Sequence, residues 1–581
     1  MRPYFEKMPR FGRALTDRQI ADAAENIEAI RGVEAGLDAA VAAVMAAGLP
    51  AEKINTRGQL TVWQRLESLV DKGTWCPLHT LYNPLDNEEG TTGVVDGIGK
   101  ISGKWAVIIG FDNKVVAGAW VAGQAENNHR ATDLAKRLNI PLVWLVNCSG
   151  IKLPDQHLTY GGRRSGGSTF FRHAELQIGG VPVLAGIYGT NPAGGGYHSI
   201  SPTVMFAHKD ANMAVGGAGI VGGMSPKGYF DEEGCEALIK STRSFKAAPP
   251  GRVATHYDET GFFRYVSDTE QGVLDGIRSY MADMPGYNPK MFRVAEPAPP
   301  AFRPEELNSL VPFNQKRTYT FTEVLARLVD GSEHLEFKPG YGPDIYCGLV
   351  KVDGFLCGAI GNNQGMLGMN YPEYADYPGI GGKLYRQGLI KMSEFVTLCG
   401  RDRIPLLWFQ DTTGIDVGDA AEKAELLGLG QSLIYSIEQT VVPQMLTVLR
   451  KGSAAAHYVM GGPQGRNHNA FTLGTPTTEI YVMHGETAAA ASYSRRLVKE
   501  KDAGKPLGPV MEKMNELVQE YYDHSRPLYC ARHGLVDEVV RFADLRRYLV
   551  AFAGSAYQNP RSICAHHQMI LPRVIKEASH P

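Results

Sequence analysis

The chain of 581 residues is 44% hydrophobic and 21% charged, with a formal net charge of −2 at pH 7. This composition is that of an ordinary globular protein, and the near-neutral charge argues against nucleic acid or an anionic membrane surface as a general partner. Its eight cysteines show no CxxC spacing, which argues against a zinc ribbon, and no apolar run reaches the roughly 18 residues that a membrane span requires.

The N-terminal half begins with a charged stretch, MRPYFEKMPRFGR, that is not expected to be a secretory signal. Residues 94–110 then predict two short strands joined by a turn that contains glycine. Residues 134–151 (LAKRLNIPLVWLVNCSGI) predict the end of a helix and a strand that is apolar on both faces, and residues 181–197 (VPVLAGIYGTNPAGGGY) predict another such strand. Strands of this kind are typical of a sheet that is covered by helices on both sides.

A proline-rich join follows the first half. Six prolines lie between positions 285 and 304, where the sequence has neither helical nor strand periodicity. We therefore expect one domain of residues 1–300 and a second of residues 301–581, each long enough to bury a core.

The same order of elements returns in the second half, at residues 346–361, 398–415 (LCGRDRIPLLWFQDTTGI) and 442–458 (VPQMLTVLRKGSAAAHY). Residues 398–415 begin 264 positions after residues 134–151 and match them at 8 of 18 positions without a gap. Solenoid repeats are far shorter, so the pattern predicts a duplicated α/β domain. Two related units suit a reaction that passes a group between two large substrates.

Each buried strand ends in a loop of residues with little or no side chain. These loops are residues 148–150 and 193–196 in the first half. The second half offers Ile415 after DTTG (411–414) and the alanines at 454–456. Such loops let a ligand approach the main chain, and NH groups that converge on one point form an oxyanion hole. A run of three glycines alone is more often a tight turn. Its recurrence at matching places in both halves favours the catalytic interpretation.

Several long motifs give the chain a resemblance to a known family. They are TRGQLTVWQRLESLVDKGTW (56–75), FVTLCGRDRIPLLWFQDTTGIDVG (395–418) and RKGSAAAHYVMGG (450–462). Over nearly its whole length the chain resembles the carboxyltransferase subunits of biotin-dependent acyl-CoA carboxylases and decarboxylases. The resemblance implies two tandem superhelical domains of the crotonase type, with acyl-CoA bound by the first domain and carboxybiotin by the second.

The resemblance also implies two oxyanion holes formed by main-chain NH groups. The acyl-CoA hole consists of the NH groups of Ile151, Gly194 and Gly195. The biotin hole consists of the NH groups of Ile415, Ala455 and Ala456, where most of the family has glycines in place of the alanines.

The loop GGRRSGG (161–167) offers Arg163 and Arg164, which suit a CoA phosphate or the free carboxylate of a substrate. It lacks the GK[ST] ending of a P-loop. The other interpretation is a mobile surface loop that binds no ligand.

A narrower likeness indicates the substrate. NPAGGGYHSISPTV (191–204), MNYPEYADYPGIGGKLYRQGLIKM (369–392) and ETAAAASYSRRL (486–497) are similar to the branch of the family that decarboxylates glutaconyl-CoA. This likeness implies transfer of CO2 from glutaconyl-CoA to biotin, giving crotonyl-CoA and carboxybiotin. The alternatives are a carboxylase subunit for 3-methylcrotonyl-CoA or propionyl-CoA, and a crotonase-like scaffold without catalysis.

The partners follow from the same likeness and from two missing motifs. The sequence has no AMKM-like biotinylation site and no Gly-rich ATP-binding loop, so biotin is expected on a separate carrier subunit, and neither ATP nor a metal is expected on this chain. The resemblance implies a homodimer or larger homo-oligomer that works with the membrane subunits of a sodium pump. The chain would then be cytoplasmic and attached to the inner face of the cell membrane through those subunits.

Overall fold

Two β-sheets, one from each half of the chain, organise the molecule in a computed structural model. The structure describes residues 8–200, 204–216, 228–247, 250–284, 289–368, 379–463 and 469–558. Among these residues one sheet has seven strands and the other eight, and two pairs of short strands lie beside them. Pro285, residues 201–203 and residues 369–378, which belong to the proline-rich join and to two motifs named above, lie outside the described residues.

The first sheet has the strand order β1-β2-β3-β4-β5-β7-β9. Its first three strands are antiparallel, and the others are parallel. The strands of this half, including the separate pair β6 and β8, are β1 (Cys76–Leu78), β2 (Val94–Ile101), β3 (Lys104–Phe111), β4 (Leu142–Val146), β5 (Val183–Ile187), β6 (Thr190–Pro192), β7 (Val204–His208), β8 (Asn212–Ala214) and β9 (Tyr265–Ser267). Its described helices are Asp17–Asp22, Ala24–Ala46, Ala51–Asn55, Val62–Leu69, Gln124–Leu138, Gln156–Thr159, Phe170–Ile178, Gly194–Ile200, Glu232–Ala247 and Glu270–Asp283.

The second sheet has the strand order β10-β11-β12-β14-β16-β17-β19, and β18 pairs with the end of β16. The strands of this half, including the separate pair β13 and β15, are β10 (His334–Glu336), β11 (Ile345–Val352), β12 (Phe355–Asn362), β13 (Lys383–Leu384), β14 (Leu406–Thr412), β15 (Gly414–Ile415), β16 (Gln444–Ser453), β17 (Asn469–Gly474), β18 (Glu479–Tyr481) and β19 (Glu538–Val539). Its described helices are Leu307–Leu310, Phe321–Leu325, Arg386–Asp402, Asp419–Lys423, Leu426–Gln439, Ala454–Val459, Gly485–Asp502, Gly508–Asp523, Pro527–Arg532 and Leu545–Gln558.

The two sheets repeat one order of elements, as the sequence predicts. Each contains an antiparallel hairpin, β2–β3 or β11–β12, followed twice by a helix and a parallel strand. The turns of both hairpins, Ser102-Gly103 and Asp353-Gly354, have positive φ at both residues. Two-residue turns of this kind match the twist of the strands that they join. The predicted α/β class and the internal duplication are therefore confirmed.

Both ends of the described chain pack on the opposite half. The NH of Phe11 donates to the carbonyl of Ser332 at 2.9 Å. The helix Leu545–Gln558 contacts both β3 and β12, and the side-chain amide of Gln558 bonds to the NH and carbonyl of Trp105 at 2.6 and 2.7 Å. Residues 1–300 and 301–581 therefore share part of a core, and the domain boundary near residue 300 stays a prediction.

The helix Ala24–Ala46 lies on the surface and bridges the two halves. By length and composition the helical stretch Ala24–Asn55 could cross a membrane, which the sequence analysis did not predict. Side-chain bonds hold it to the rest of the protein. Near its start Asn26 bonds to the carbonyls of Asn308 and Val311, both at 2.9 Å, and at its end the ammonium group of Lys114 donates to the carbonyl of Met45.

A buried group of charges joins the two sheets. The ring of His79 lies between the carboxylates of Asp96, on β2, and Asp537, next to β19, at 2.7 and 3.0 Å. Burial alone would lower the pKa of His79, but these two carboxylates raise it to about 9. Burial alone would raise the pKa of Asp537, but the bond from His79 holds it at about 2. The neighbouring Glu538 carboxyl, also buried, has its pKa raised to about 7. His79 is therefore cationic at neutral pH and holds the halves together.

We predict that His79→Gln lowers the free energy of unfolding by about 3 to 5 kcal/mol at pH 6, because it leaves buried carboxylates without their cation. The pKa of His79 is raised on folding, so its contribution is full below the unfolded value of roughly 6.5 and is lost as the pH rises through about 9. The deficit of the variant should therefore shrink between pH 6 and pH 9.5 in urea unfolding. The control Lys423→Gln removes an exposed ion pair with Asp419, and it should leave the stability close to that of the parent at both pH values. A deficit for His79→Gln that is equal at both pH values would contradict the charge assignment.

Candidate active site

A short parallel pairing fixes the direction of the Ile151 NH in the first unit. Ile151 is the bridge partner of Trp120. The NH of Trp120 donates to the carbonyl of Gly150 at 2.8 Å, and the NH of Lys152 donates to the carbonyl of Trp120 at 2.9 Å. Because the two residues that flank Ile151 make these bonds, its own NH points away from Trp120.

The second unit repeats this arrangement at the same spacing. β13 and β15 pair Leu384 with Ile415, 264 positions after Trp120 and Ile151. The NH of Asp416 donates to the carbonyl of Leu384 at 3.1 Å, so the Ile415 NH points away from Leu384. The glycine before each isoleucine has positive φ, +103° at Gly150 and +125° at Gly414. A left-handed glycine makes the same turn in both loops.

A short helix begins beside each of these loops. The residue at its start is a left-handed alanine in both units, Ala193 with φ 49° and Ala454 with φ 50°. Ala193 immediately precedes the helix Gly194–Ile200, and Ala454 is the first residue of the helix Ala454–Val459. The first NH groups of a helix have no acceptor within it, so those of residues 194 and 195, and of residues 455 and 456, are free of intrahelical bonds.

The two units differ in the room beside these NH groups. A methyl group on Gly194 would lie 2.6 Å from the ring of Trp120, and one on Gly195 would lie 2.3 Å from the carbonyl oxygen of Cys148. The second unit carries methyl groups at the equivalent places, where Ala456 is fully buried and Ala455 is exposed. The loop and the helix therefore lie closer together in the first unit, which explains why glycines stand there and alanines in the second.

Ion pairs hold the residue after each isoleucine. The ammonium group of Lys152 binds Glu88, Glu89 and Asp155, the last two at 2.6 and 3.0 Å. In the second unit the charges are reversed, and Asp416 accepts from Lys383 at 2.7 Å. These pairs restrain both loops next to the isoleucine NH groups.

A buried carboxylate also organises the second unit. Asp411, near the end of β14, binds the guanidinium of Arg450 at 2.7 Å and the ammonium group of Lys451 at 3.3 Å. Burial alone would raise the pKa of Asp411, but Arg450 and Lys451 hold it below its usual range. Asp411 is therefore ionised, and it ties β14 to β16 just before their loops begin.

The histidines beneath the helices are buried and neutral. The ring of His198 stacks on Trp144 at 5.0 Å, and burial lowers its pKa well below the usual value. Burial lowers the pKa of His457 to about 4, and Nδ1 of its ring lies 2.9 Å from Oε1 of Gln410. Neither imidazole is a cation at pH 7, so both hold the helices by packing and hydrogen bonding.

The structure brings the six predicted hole residues together in two groups of three. Arg163 and Arg164 are exposed. The guanidinium of Arg164 binds the carboxylate of Glu126 through two bonds, at 2.6 and 3.0 Å. Its predicted role towards an anion stays a prediction. Sequence reasoning missed Trp120 and Leu384, although their shared offset of 264 positions was available as a signal.

We predict that Gly195→Ala destabilises the protein by about 1 to 3 kcal/mol, because the added methyl group overpacks against the carbonyl of Cys148. Gly508→Ala is the matched control, since Gly508 also begins a helix and a methyl group there meets nothing within 4 Å. The control should stay within about 0.5 kcal/mol of the parent in thermal melting. Equal melting temperatures for the parent, Gly195→Ala and Gly508→Ala would show that the loop at Cys148 and the helix Gly194–Ile200 are not in contact.

Comparison with known proteins places this geometry in a family. A model described as carboxyl transferase domain matches residues 53–570. The chain is 56% identical over 577 residues to glutaconyl-CoA decarboxylase subunit alpha of Acidaminococcus fermentans, covering 99% of this chain and 97% of that protein. It is 26% identical over 519 residues to the biotin-dependent 3-methylcrotonyl-coenzyme A carboxylase beta1 subunit of Mycobacterium tuberculosis, covering 88% and 89%.

One solved structure shows the shared fold. The beta subunit of geranyl-CoA carboxylase from P. aeruginosa aligns with a TM-score of 0.75 and 23% identity, over 96% of this chain and 99% of that chain. The predicted pair of crotonase-type units is confirmed by this likeness. The chain belongs to the carboxyl transferase domain family.

Proposed function

We propose that this chain transfers CO2 from glutaconyl-CoA to biotin held by another subunit, and so forms the carboxyltransferase part of a decarboxylase. The observation that carries the proposal is the pair of equivalent main-chain sites at Ile151 and Ile415, each beside the start of a short helix. The 56% identity to a glutaconyl-CoA decarboxylase subunit, against 26% to a 3-methylcrotonyl-CoA carboxylase subunit, favours this substrate.

The first unit is assigned to the thioester. When the bond between C4 and the distal carboxylate breaks, the electron pair delocalises along the conjugated chain onto the thioester oxygen. The NH groups of Ile151, Gly194 and Gly195 are assigned to receive this charge. Preorganised donors of this kind each contribute about 100- to 1,000-fold to a rate.

The second unit is assigned to biotin. Biotin supplies a nucleophilic ureido nitrogen that accepts CO2, and charge accumulates on its ureido oxygen. The NH groups of Ile415, Ala455 and Ala456 are assigned to stabilise that oxygen. Ala454 and Ala455 are exposed, so the main chain there is open to a flat ligand. This exposure supports the assignment of biotin to the second unit.

The proton balance needs no net acid or base from the protein. One proton leaves the acceptor nitrogen and one is taken up at C4 of the product, so the two cancel. This agrees with the lowered pKa values of His198 and His457, because a neutral buried imidazole carries no proton to donate as a cation.

The two substrates are also assigned to the two predicted domains of the chain. Residues 1–300 bind the acyl-CoA, and residues 301–581 bind biotin. Arg163 is exposed and suits a CoA phosphate or the distal carboxylate of glutaconate. Arg164 takes part only if it leaves Glu126.

The complete active site is assigned to a homodimer in which the first unit of one chain faces the second unit of its partner. Exposed apolar side chains at equivalent positions around both sites support this arrangement. They form three pairs, Leu153 and Val417, Phe171 and Tyr435, and Tyr197 and Tyr458. Apolar residues that recur around two sites are typical of surfaces that become buried in a complex.

The other partners are a biotin carrier subunit and the membrane subunits of a sodium pump. In this proposal the chain is cytoplasmic and reaches the inner face of the membrane through those subunits. The bonds that hold helix Ala24–Ala46 to the rest of the protein support attachment by partners and not by this helix.

We predict that Gly195→Val and Ala456→Val each reduce CO2 transfer from glutaconyl-CoA to free biotin by at least about 100-fold, because the added bulk at each packed position displaces the NH groups of one hole. The two variants should differ in binding. Gly195→Val should weaken the binding of glutaconyl-CoA, and Ala456→Val should leave it unchanged in calorimetry.

Thermal melting checks that both variants are folded, and Gly508→Val serves as a control of equal size outside the sites. A folded Ala456→Val that transfers CO2 at the parent rate would refute the biotin assignment. A panel with 3-methylglutaconyl-CoA and methylmalonyl-CoA, the carboxylated forms of 3-methylcrotonyl-CoA and propionyl-CoA, tests the substrate. Faster transfer of CO2 to biotin from either of them than from glutaconyl-CoA would refute the substrate assignment.

We predict that the double variant Phe171→Asp and Tyr435→Asp shifts the protein from dimer to monomer in light scattering and abolishes transfer, because it places carboxylates in the apolar interface. Met45→Asp, at an exposed apolar residue of helix Ala24–Ala46, should leave the dimer intact. An active monomer of the parent protein would refute the shared site.

A further inference from the structure

Asn191 links the two loops of the first unit through its side chain. It is fully buried on β6, and its Oδ1 accepts from the NH of Cys148 at 2.8 Å. Its Nδ2 donates to the carbonyls of Tyr188 and Asn212 at 2.8 and 3.0 Å. Its own NH donates to Oδ1 of Asn212 at 2.9 Å. Every polar group of its side chain is therefore used, and the bond to Cys148 crosses from β6 to the loop after β4.

The second unit makes the same link with main chain. In the first unit the ladder between β4 and β5 ends at the pair Val146 and Ile187. In the second unit the ladder between β14 and β16 passes a bulge and continues to the pair Thr412 and Gly452. These two residues lie 264 and 261 positions after Cys148 and Asn191, the same offsets as the repeat. The carboxamide of Asn191 therefore stands where a ladder pair stands in the second unit.

The main chain of Asn191 cannot make that pair because it is used elsewhere. β6 pairs with β8, which places Asn191 opposite Met213. A side chain is then needed to reach the loop after β4. Without it the buried NH of Cys148 would lose its acceptor, which is costly in a protein interior.

The hydrogen bond between Asn191 and Cys148 lies just before the two loops that carry the NH groups of the first hole. Ile151 follows Cys148 by three positions, and Gly194 follows Asn191 by three positions. This one hydrogen bond therefore sets the distance between two chain segments. One segment leads to the NH of Ile151 and the other to the NH of Gly194. A displacement of about 1 Å in such a group can cost about 100-fold in rate.

We propose that Asn191 is a positioning residue for the first hole, and that its carboxamide sets the spacing between the NH of Ile151 and those of Gly194 and Gly195. This inference rests on the proposed function of the first unit as the thioester site. Asn191 acts through the loops and does not touch the substrate.

The test uses the full chain and crotonyl-CoA labelled with ¹³C at the thioester carbonyl. Hydrogen bonds from the hole lower the stretching frequency of a bound carbonyl, and infrared difference spectra report this shift without any transfer to biotin. We expect a clear shift in the parent protein and its loss in Asn191→Ala. We also expect kcat for transfer to fall by about 100-fold while KM changes little.

Asn212→Ala is the matched control, because it removes the same group from the neighbouring strand and leaves the bond between Asn191 and Cys148 in place. It should lower the melting temperature and retain most of the carbonyl shift. If Asn191→Ala does not fold, Asn191→Ser takes its place, since its hydroxyl is too short to reach the NH of Cys148.

The outcomes separate this inference from the proposed function. A parent protein that binds crotonyl-CoA without a carbonyl shift would refute the thioester site itself. A shift in Asn191→Ala equal to that of the parent would refute the positioning role alone. Equal loss of the shift in Asn191→Ala and Asn212→Ala would also refute it, because the effect would then follow from general loosening of β6 and β8.

Discussion

The proposed chemistry depends on one constraint, that a main-chain NH acts on a ligand only when its direction is fixed and its neighbours leave room. Each unit meets this constraint in the same way. The pairings of Ile151 with Trp120 and of Ile415 with Leu384 use the hydrogen bonds of the flanking residues and leave the isoleucine NH on the open side. A left-handed alanine then starts a helix beside each loop, so further NH groups lie at the same place.

The two units have diverged around this common construction. The first unit is tightly packed, because the ring of Trp120 and the carbonyl of Cys148 leave no space for a methyl group at residues 194 and 195. The buried Asn191 also holds the two loops of this unit together. The second holds alanines, and a continuous ladder joins its strands. One site that admits only glycine and one that admits small side chains suit two ligands of different shape, which agrees with a thioester in the first and biotin in the second.

The sequence predicted the sheets, the duplication and both loops because periodicity and an internal repeat are visible without knowledge of the fold. It missed Trp120 and Leu384 because each pairs with an isoleucine far along the chain. His79 and Asp537 come from opposite ends of the sequence, and only packing of the two sheets brings them to 3.0 Å. Arg164 shows the reverse case. Its loop suggested an anion site, but the structure pairs it with Glu126, 38 positions earlier.

The most direct test of the account is a crystal structure of the homodimer with crotonyl-CoA and biotin bound together. The account predicts the thioester oxygen within hydrogen-bonding distance of the NH groups of Ile151 and Gly194 in one protomer. It predicts the ureido oxygen within the same distance of the NH groups of Ile415 and Ala456 in its partner. A thioester bound in the second unit, or both ligands bound in one unit, would contradict the assignment of one hole to each substrate.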